Sequence, residues 1–319
     1  VPRGVASSRK VVGEFEFFGE TVVVASGGIG ANLELIRKNW PPRLGNPPER
    51  MFSGVPDHVD GRMLGVAEKA GAKIVNRDRM WHYTEGIMNW NPIWPNHGIR
   101  ILPGPSPLWF DAIGKRLPAP YFPGFDTLGT LRAIMETGYD YSWFILSHKI
   151  IEKEFALSGS EQNPDITGKS MKQVLKRLLP GPPGPVQKFL DHGEDFIIAE
   201  KLQDLVSMMN QLTGTALLDA KEIKEQIAAR DREVENKFTK DLQITAIRGA
   251  RHYLGDKIIR VARVFDQSGK PSAGLYAAGE VAGFGGGGLH GYRSLEGTFL
   301  GGCLFTGLQT AKGIMADLK

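Results

Sequence analysis

Cysteine is almost missing from this chain. Cys303 is the single one in 319 residues, so an internal disulfide is excluded and the thiol usage fits a reducing, cytoplasmic setting. No apolar run approaches the ~20 residues that cross a bilayer, which predicts no membrane span. No signal-peptide pattern opens the chain. Charge of one sign is lacking too: 39 Lys and Arg against 35 Asp and Glu leave a net charge of +4. The charges are interspersed, so no nucleic-acid footprint is expected. The G-x-S-x-G elbow of serine hydrolases does not occur. His82 and Glu85 have near-helical spacing but no third metal ligand beside them, so no metal site is expected. There is no internal repeat and no low-complexity tail.

Glycine and proline are plentiful, at 40 and 20 residues. Proline clusters fall at Trp40–Pro48, Asn91–Pro123 and Pro180–Pro185, and read as loops or linkers because proline supplies no amide donor. Around them the chain reads as α/β. Glu14–Phe18 and Glu20–Ser26 are predicted strands, the second apolar and β-branched like a buried parallel strand. Asn32 is expected to cap a helix over Leu33–Asn39, and a second helix is expected over Arg62–Ala70 with Gly71 just past its end. Ala72–Val75 reads as a strand. Residues 76–127 show no clear period and are expected to form an ordered, loop-rich region.

From Leu128 to Phe238 the pattern predicts mainly helices: Leu131–Met135, Trp143–Phe155, Met171–Leu179, Leu202–Leu212 and Asp219–Val234. Strands are expected again at Leu242–Ala246, Ile258–Val261 and Gly274–Ala278, then a final helix over Gly297–Leu318. The early glycines of that helix predict something packed or bound closely against it.

Three passages carry chemistry. Val22–Ser26 runs into Gly27-Gly28-Ile29-Gly30, a strand followed by a glycine turn. Such a turn brings backbone amides to an anionic or flat ligand, though an ordinary tight βα turn reads the same way. Asp60-Gly61 opens the second helix, where the carboxylate can cap first-turn amides or line a cofactor cleft. The third passage is the most specific. Gly274-Leu-Tyr-Ala-Ala-Gly279-Glu280 is a short strand with an acid at its carboxyl end. The glycine loop Gly283–Gly288 follows, then His290-Gly-Tyr292-Arg293, then a helix start at Ser294–Thr298. Ligands of α/β sheets lie outside the carboxyl ends of strands. Glu280 suits a ribose or ribityl hydroxyl, and the amides near Ser294, Leu295 and Gly297 suit a carbonyl or negative charge. Arg293 offers a fork for a carboxylate, and His290 a donor or proton carrier. Tyr292, Tyr139 and Tyr141 are each proton-transfer candidates or packing residues. Trp81, Trp90, Trp94, Trp109 and Trp143 read either as core or as the wall of an apolar cavity.

Together these passages resemble the FAD-dependent fumarate reductase / succinate dehydrogenase / 3-ketosteroid dehydrogenase superfamily, and within it the bacterial FAD-binding dehydrogenases. Val23–Gly30 resembles the family's second glycine strand turn, Val59–Ala72 its T-G-D-G helix with the A-G-A end, and Gly274–Glu280 its closing G-L-Y-A-A-G-E passage. The resemblance implies a Rossmann-like FAD-binding domain from residues 1–80 and 245–319, with a mainly helical substrate-capping domain, 81–244, inserted between. It implies FAD held by Ala25, Gly27, Gly28, Asp60, Gly279, Glu280, Ser294, Leu295 and Gly297. The implied reaction is dehydrogenation of a carbon–carbon bond in a carbonyl- or carboxylate-bearing apolar substrate, with His290, Tyr292 and Arg293 on the substrate side. A small-molecule substrate, a separate electron acceptor or donor and a homo-oligomer are compatible with it. Reduction of an unsaturated acid, and a flavin-free binding module, are the alternatives.

The chain departs from the family in two ways. The opening strand with its G-x-G-x-x-G turn does not occur, so the FAD-binding domain is expected to be incomplete at its N-terminus. The join at Ala262-Arg263 is expected to lack an internal piece. Ketosteroid dehydrogenases place a Tyr four residues before the glycine that Gly297 matches, where this chain has Arg293. The fumarate reductase pattern H-G-x-x-R is one residue longer than His290-Gly-Tyr-Arg293.

Overall fold

A computed structural model describes residues 10–80, 82–123, 125–157, 180–249, 263–265, 268, 270–278 and 298–317. In chain order the elements open with β1 (Val22–Val24), α1 (Leu33–Lys38), a 3-10 turn (Pro42–Leu44) and α2 (Arg62–Lys69). Then come β2 (Gly86–Met88), β3 (Gly98–Leu102), β4 (Leu108–Asp111), α3 (Thr127–Glu136), β5 (Ser142–Ile145), α4 (His148–Lys153) and β6 (Ala156–Leu157). The helices α5 (Gly184–His192), α6 (Leu202–Thr213), α7 (Ala220–Glu235) and α8 (Leu242–Gly249) follow. β7 (Arg263–Phe265), β8 (Pro271–Ala277) and α9 (Thr298–Asp317) close the described chain.

The two ends of the chain meet in one sheet, ordered β1-β8-β7. β1 runs parallel to β8, with Val22 opposite Leu275, Val23 opposite Tyr276 and Val24 opposite Ala277. β7 runs antiparallel to β8. The final helix covers β8. Tyr276 is 1% exposed and packs where a Cβ on Gly313 would come within 3.0 Å of its ring. Its hydroxyl donates to Asp317, and the Thr310 hydroxyl donates to the Ala277 carbonyl at 3.0 Å. Gly313, in the last turns of α9, is therefore a close-packed glycine. Gly307 has open space around it.

β1 is parallel as expected but shorter, and it is not buried: Val22 is 57% and Val23 45% exposed. Among the described residues only β8 bonds to it, so β1 is an edge strand there. Glu14–Phe18 forms no strand, with Phe17 and Phe18 almost fully exposed. A β pattern needs a bonded neighbour to become a strand, and no described strand lies beside this one. Ala72–Val75 likewise forms no strand.

The segment between the two parts of this sheet carries short antiparallel strands as well as helices. β2-β3-β6 and β4-β5 are antiparallel sheets, and β2, β3 and β4 arise within the region expected to be loop. The stretch expected as one helix over Trp143–Phe155 divides into β5, α4 and the approach to β6. Trp143 faces Phe110 and Phe144 faces Trp109 across the β4–β5 ladder, and aromatic cross-strand pairs stabilise such a ladder. Ser147 then caps α4 by accepting from the Ile150 amide. The strand expected at Leu242–Ala246 is α8. Asp241 caps it, its Oδ1 accepting from the Ile244 amide at 3.1 Å. The Pro180–Pro185 linker leads directly into α5, whose first turn tolerates Pro185 because that amide has no helical partner anyway.

The two largest apolar clusters hold this segment together, beside a smaller one of Trp109, Leu117 and Ile134. Ile99, Ile101, Phe155, Leu157, Val186 and Phe189 form one. Leu108, Phe110, Val206, Met209 and Ile223 form the other. The helices expected over Leu202–Leu212 and Asp219–Val234 are present as α6 and α7. Asp219 accepts from the amides of Lys221 and Glu222, as a cap should. The expected elements Met171–Leu179 and Ile258–Val261 lie outside the described residues.

Candidate functional site

The pairing of β1 with β8 decides where the glycine passages lie. The Ala278 amide donates to the Val24 carbonyl at 3.1 Å, so both strands leave the sheet at the same end. Ala25 and Ser26 are exposed and Gly27 and Gly28 half-buried just beyond β1. Gly27 has φ +75°, a left-handed conformation that a glycine adopts without strain. Gly279 and Glu280 are the next residues in the chain after Ala278, but they lie outside the described residues. So do His290, Tyr292, Arg293, Ser294, Leu295 and Gly297.

Asp60 is brought to the same turn by a small network. The Ala31 amide donates to the Val59 carbonyl at 3.0 Å. Asn32 Nδ2 donates to the Asp60 carbonyl at 3.2 Å, while its Oδ1 accepts from the Leu35 amide at 2.9 Å and caps α1. Two glycines make this approach possible. A Cβ on Gly30 would lie 2.8 Å from Val55 Cγ2, and one on Gly61 would lie 2.7 Å from Ile29 Cγ2. Asp60 itself accepts from the Arg62 amide through Oδ1 at 3.0 Å and pairs with the Arg62 guanidinium through Oδ2 at 3.0 Å. Its helix-start role is thus visible in the geometry. Gly61, in the left-handed conformation, occupies the capping position itself.

Four of the expected cofactor residues, Ala25, Gly27, Gly28 and Asp60, therefore gather around one turn at the carboxyl end of a parallel strand. Small side chains, exposed backbone and a left-handed glycine there fit a flat or anionic ligand.

The tryptophans do not form one wall. Trp90 lies 5.2 Å from His192, Trp94 stacks on His97 at 3.8 Å, and Trp143 packs into the second cluster. Trp81 lies outside the described residues. Tyr139 and Tyr141 pack edge-on at 5.9 Å. Glu85 is engaged by Arg100 at 3.6 Å, both side chains buried. His97 accepts from the Ile93 amide through Nδ1 at 3.1 Å, and burial lowers its pKa to about 4. Burial, then the charge of Arg43, lowers the pKa of His82 to about 4 as well.

A second concavity, which the sequence did not announce, lies between the chain after β4 and the start of α8. It is a cleft of about 350 Å³. Trp109, Leu117, Tyr121, Phe122 and Leu242 supply apolar surface, and Arg116, Lys240, Asp241 and Gln243 supply polar groups. Arg116 forks onto Asp241 at 2.6 and 3.2 Å and donates to Gln243 at 2.8 Å. Burial tends to raise the Asp241 pKa, but its hydrogen bonds and the charge of Arg116 outweigh this and hold it below the usual carboxylate value. Of the described tryptophans only Trp109 lines this cleft. Tyr121 had no distinguishing signal in the sequence, since it sits in a proline-rich stretch with no period. Among the described residues no helix is long and apolar enough to cross a membrane.

The FAD binding domain family matches residues 3–300. A KsdD-like steroid dehydrogenase of Mycobacterium tuberculosis (strain CDC 1551 / Oshkosh) is 57% identical over 354 residues, covering 100% of this chain and 62% of the relative. A KsdD-like steroid dehydrogenase of Mycolicibacterium smegmatis is 58% identical over 352 residues, covering 99% of this chain and 64% of the relative. The chain thus spans less than two thirds of the length of these curated relatives. The solved 3-ketosteroid delta1-dehydrogenase of Sterolibacterium denitrificans, in complex with 1,4-androstadiene-3,17-dione, superposes with a TM-score of 0.57 at 16% identity, covering 93% of this chain and 53% of that one. At that identity the likeness is one of fold.

Proposed function

The chain belongs to the FAD binding domain family, and on that premise we propose that it is the greater part of an FAD-dependent dehydrogenase acting on a carbon–carbon bond of a 3-ketosteroid-like substrate. The observation that carries this reading is the parallel pairing of β1 with β8. It sends the Gly27-Gly28 turn and the passage leading to Gly279-Glu280 out of the sheet at one end, where a dinucleotide would lie. The names borne by relatives at 57% identity support the substrate class.

FAD, when bound, would supply the acceptor for the hydride lost by one substrate carbon. The rest falls to side chains of the protein. Ala25, Gly27, Gly28 and Asp60 on one side, and Gly279, Glu280, Ser294, Leu295 and Gly297 on the other, would hold the cofactor. Arg293 would bind and polarise the substrate carbonyl, which acidifies the neighbouring C–H. Tyr292 or His290 would take that proton, completing loss of one hydride and one proton from adjacent carbons. A separate acceptor would remove the electrons between turnovers. Arg293 also suits the reverse direction, reduction of an unsaturated acid, because its fork matches a carboxylate.

The test is the visible absorption spectrum of the protein purified from its full native gene. Flavin bands at about one FAD per chain, bleached anaerobically by a 3-ketosteroid, are expected. Bleaching by dithionite and reoxidation by an unsaturated acid, with no response to ketosteroid, would favour the reductase. A colourless protein that takes up no FAD would leave a binding module.

A further inference from the structure

We propose that Val55 is a positioning residue for the flavin: it sits on a strap, residues 52–55, that the turn at 94–97 grips, and it fixes the shape of the glycine turn at 27–30. The inference rests on the reading of that glycine turn as an FAD site.

The grip begins with a tight turn. Trp94-Pro95-Asn96-His97 closes on itself through the His97 amide, which donates to the Trp94 carbonyl at 3.2 Å. Pro95 presets one central position of such a turn, and Asn96 tolerates the left-handed φ of +55° at the other. The rings of Trp94 and His97 stack with centroids 3.8 Å apart. His97 is buried, and its Nδ1 accepts from the Ile93 amide.

This turn holds both backbone groups of Ser53. The Ser53 amide donates to the Asn96 carbonyl at 2.7 Å, and the Ser53 carbonyl accepts from the Gly98 amide at 3.0 Å. The same carbonyl accepts from Trp94 Nε1 at 3.2 Å, 41 residues along the chain. Phe52 lies where a Cβ on Gly98 would run into it. Ser53 is 4% exposed, so a lost partner there leaves a buried polar group unsatisfied, which is costly. The Ser53 hydroxyl passes the grip on, donating to the Val55 carbonyl at 2.8 Å.

The far end of the strap meets the glycine turn. A Cβ on Gly30 would lie 2.8 Å from Val55 Cγ2, while the next nearest atom, Val55 Cγ1, would be 3.9 Å away. One methyl group therefore closes that space. Val59 follows on the same stretch of chain, and its carbonyl accepts from the Ala31 amide at 3.0 Å. Ala31 and Leu33 share one concavity with Ser53, Trp94 and Asn96, so strap and glycine turn face each other. Valine is β-branched and stiff at χ1, which suits it to set a position. A turn shaped before the cofactor arrives binds it at a lower ordering cost.

The experiment strips flavin from the full native protein and titrates it with FAD, reading the affinity from quenched FAD fluorescence. Gly30→Ala is expected to weaken FAD at least about fivefold, since its methyl meets Val55. Val55→Ala removes the obstructing methyl, so the double variant should bind FAD within about twofold of Val55→Ala alone. Trp94→Phe keeps a ring against His97 but loses the donor to Ser53, and should weaken FAD about two- to tenfold. Hydrogen exchange of the flavin-free protein gives a second reading. The peptide containing Ala31 should exchange faster in Gly30→Ala and Trp94→Phe, and slow again in the double variant. Unchanged affinity in Gly30→Ala, losses from Gly30→Ala and Val55→Ala that simply add, or unchanged affinity and exchange in Trp94→Phe would each overturn the proposal. A protein that takes up no FAD would overturn it together with the dehydrogenase reading. Oxidation of a 3-ketosteroid with additive losses would sink this inference alone. Compensation in the double variant, with 3-ketosteroids left untouched, would keep this inference and sink the dehydrogenase reading.

Discussion

Replacing Gly61 by alanine tests whether the turn around Asp60 is held by close packing or only by hydrogen bonds. Gly61 has φ +76°, and a Cβ there would lie 2.7 Å from Ile29 Cγ2 and 3.0 Å from Leu35 Cδ2. The left-handed backbone costs an alanine about 1–2 kcal/mol. Pushing a methyl into a β-branched neighbour whose rotamer is stiff costs about 1–3 kcal/mol more. The expected loss is therefore about 2–5 kcal/mol. Gly65 supplies the control. It lies in the same helix, α2, and a methyl added there would meet nothing within 4 Å. Alanine there should gain about 0.5–1 kcal/mol, because glycine inside a helix loses more backbone freedom on folding. Denaturant unfolding of the full protein, followed by circular dichroism, reads both changes. Flavin retention measured alongside should fall for Gly61→Ala, because Ile29 belongs to the glycine turn proposed to face the cofactor. A Gly61→Ala protein within about 0.5 kcal/mol of the parent, or a Gly65→Ala protein that loses more than it does, would refute the packing argument.

Three further outcomes are expected. Arg293→Ala should cut turnover steeply while flavin stays bound, and unchanged turnover would remove Arg293 from the mechanism. Phe189→Ala should destabilise the segment between β2 and α8 by about 3–5 kcal/mol, since Phe189 is 0% exposed at the centre of its cluster; an unfolding midpoint close to the parent's would count against that core. Acidification should weaken the fold through His97. Its folded pKa, about 4, lies below the ordinary 6.5, so the unfolded chain binds the proton first. The stability from keeping it neutral is complete above pH 6.5 and is lost as pH falls towards 4, on the order of 3 kcal/mol in all. Unfolding midpoints at several pH values check this, with His97→Asn reducing a decline to which His82, lowered to about 4 as well, also contributes.

Local chemistry accounts for what was legible in advance. Asn32 before Leu33 and Asp219 before Ala220 were readable as helix caps because a cap acts within three residues. Gly71 was readable as a helix end for the same reason, and its φ of +92° is the left-handed value that role requires. The apolar, β-branched run at Val22–Val24 and the run ending at Ala277 were readable as strands.

Where partners come from distant chain, the reading failed. Ser142–Ile145 carries the apolar residues of a helix or a strand equally well, and its pairing with Leu108–Asp111 decided for the strand. Leu242–Ala246 looked β-like, and Asp241, held by Arg116 from 125 residues away, started a helix there instead. The burial expected of β1 failed because only one described strand bonds to it.

The same division holds for the candidate site. The sequence alone determined that glycines, an acid and a cationic loop occur in the order a flavin protein uses, since that order is a property of the chain. Only the tertiary structure decided that β1 and β8 lie side by side, that Asn32 draws Asp60 to the glycine turn, and that Trp109, Tyr121 and Lys240 share a cleft. Those are contacts between segments far apart in the chain, and no local pattern specifies which distant surface a residue will meet.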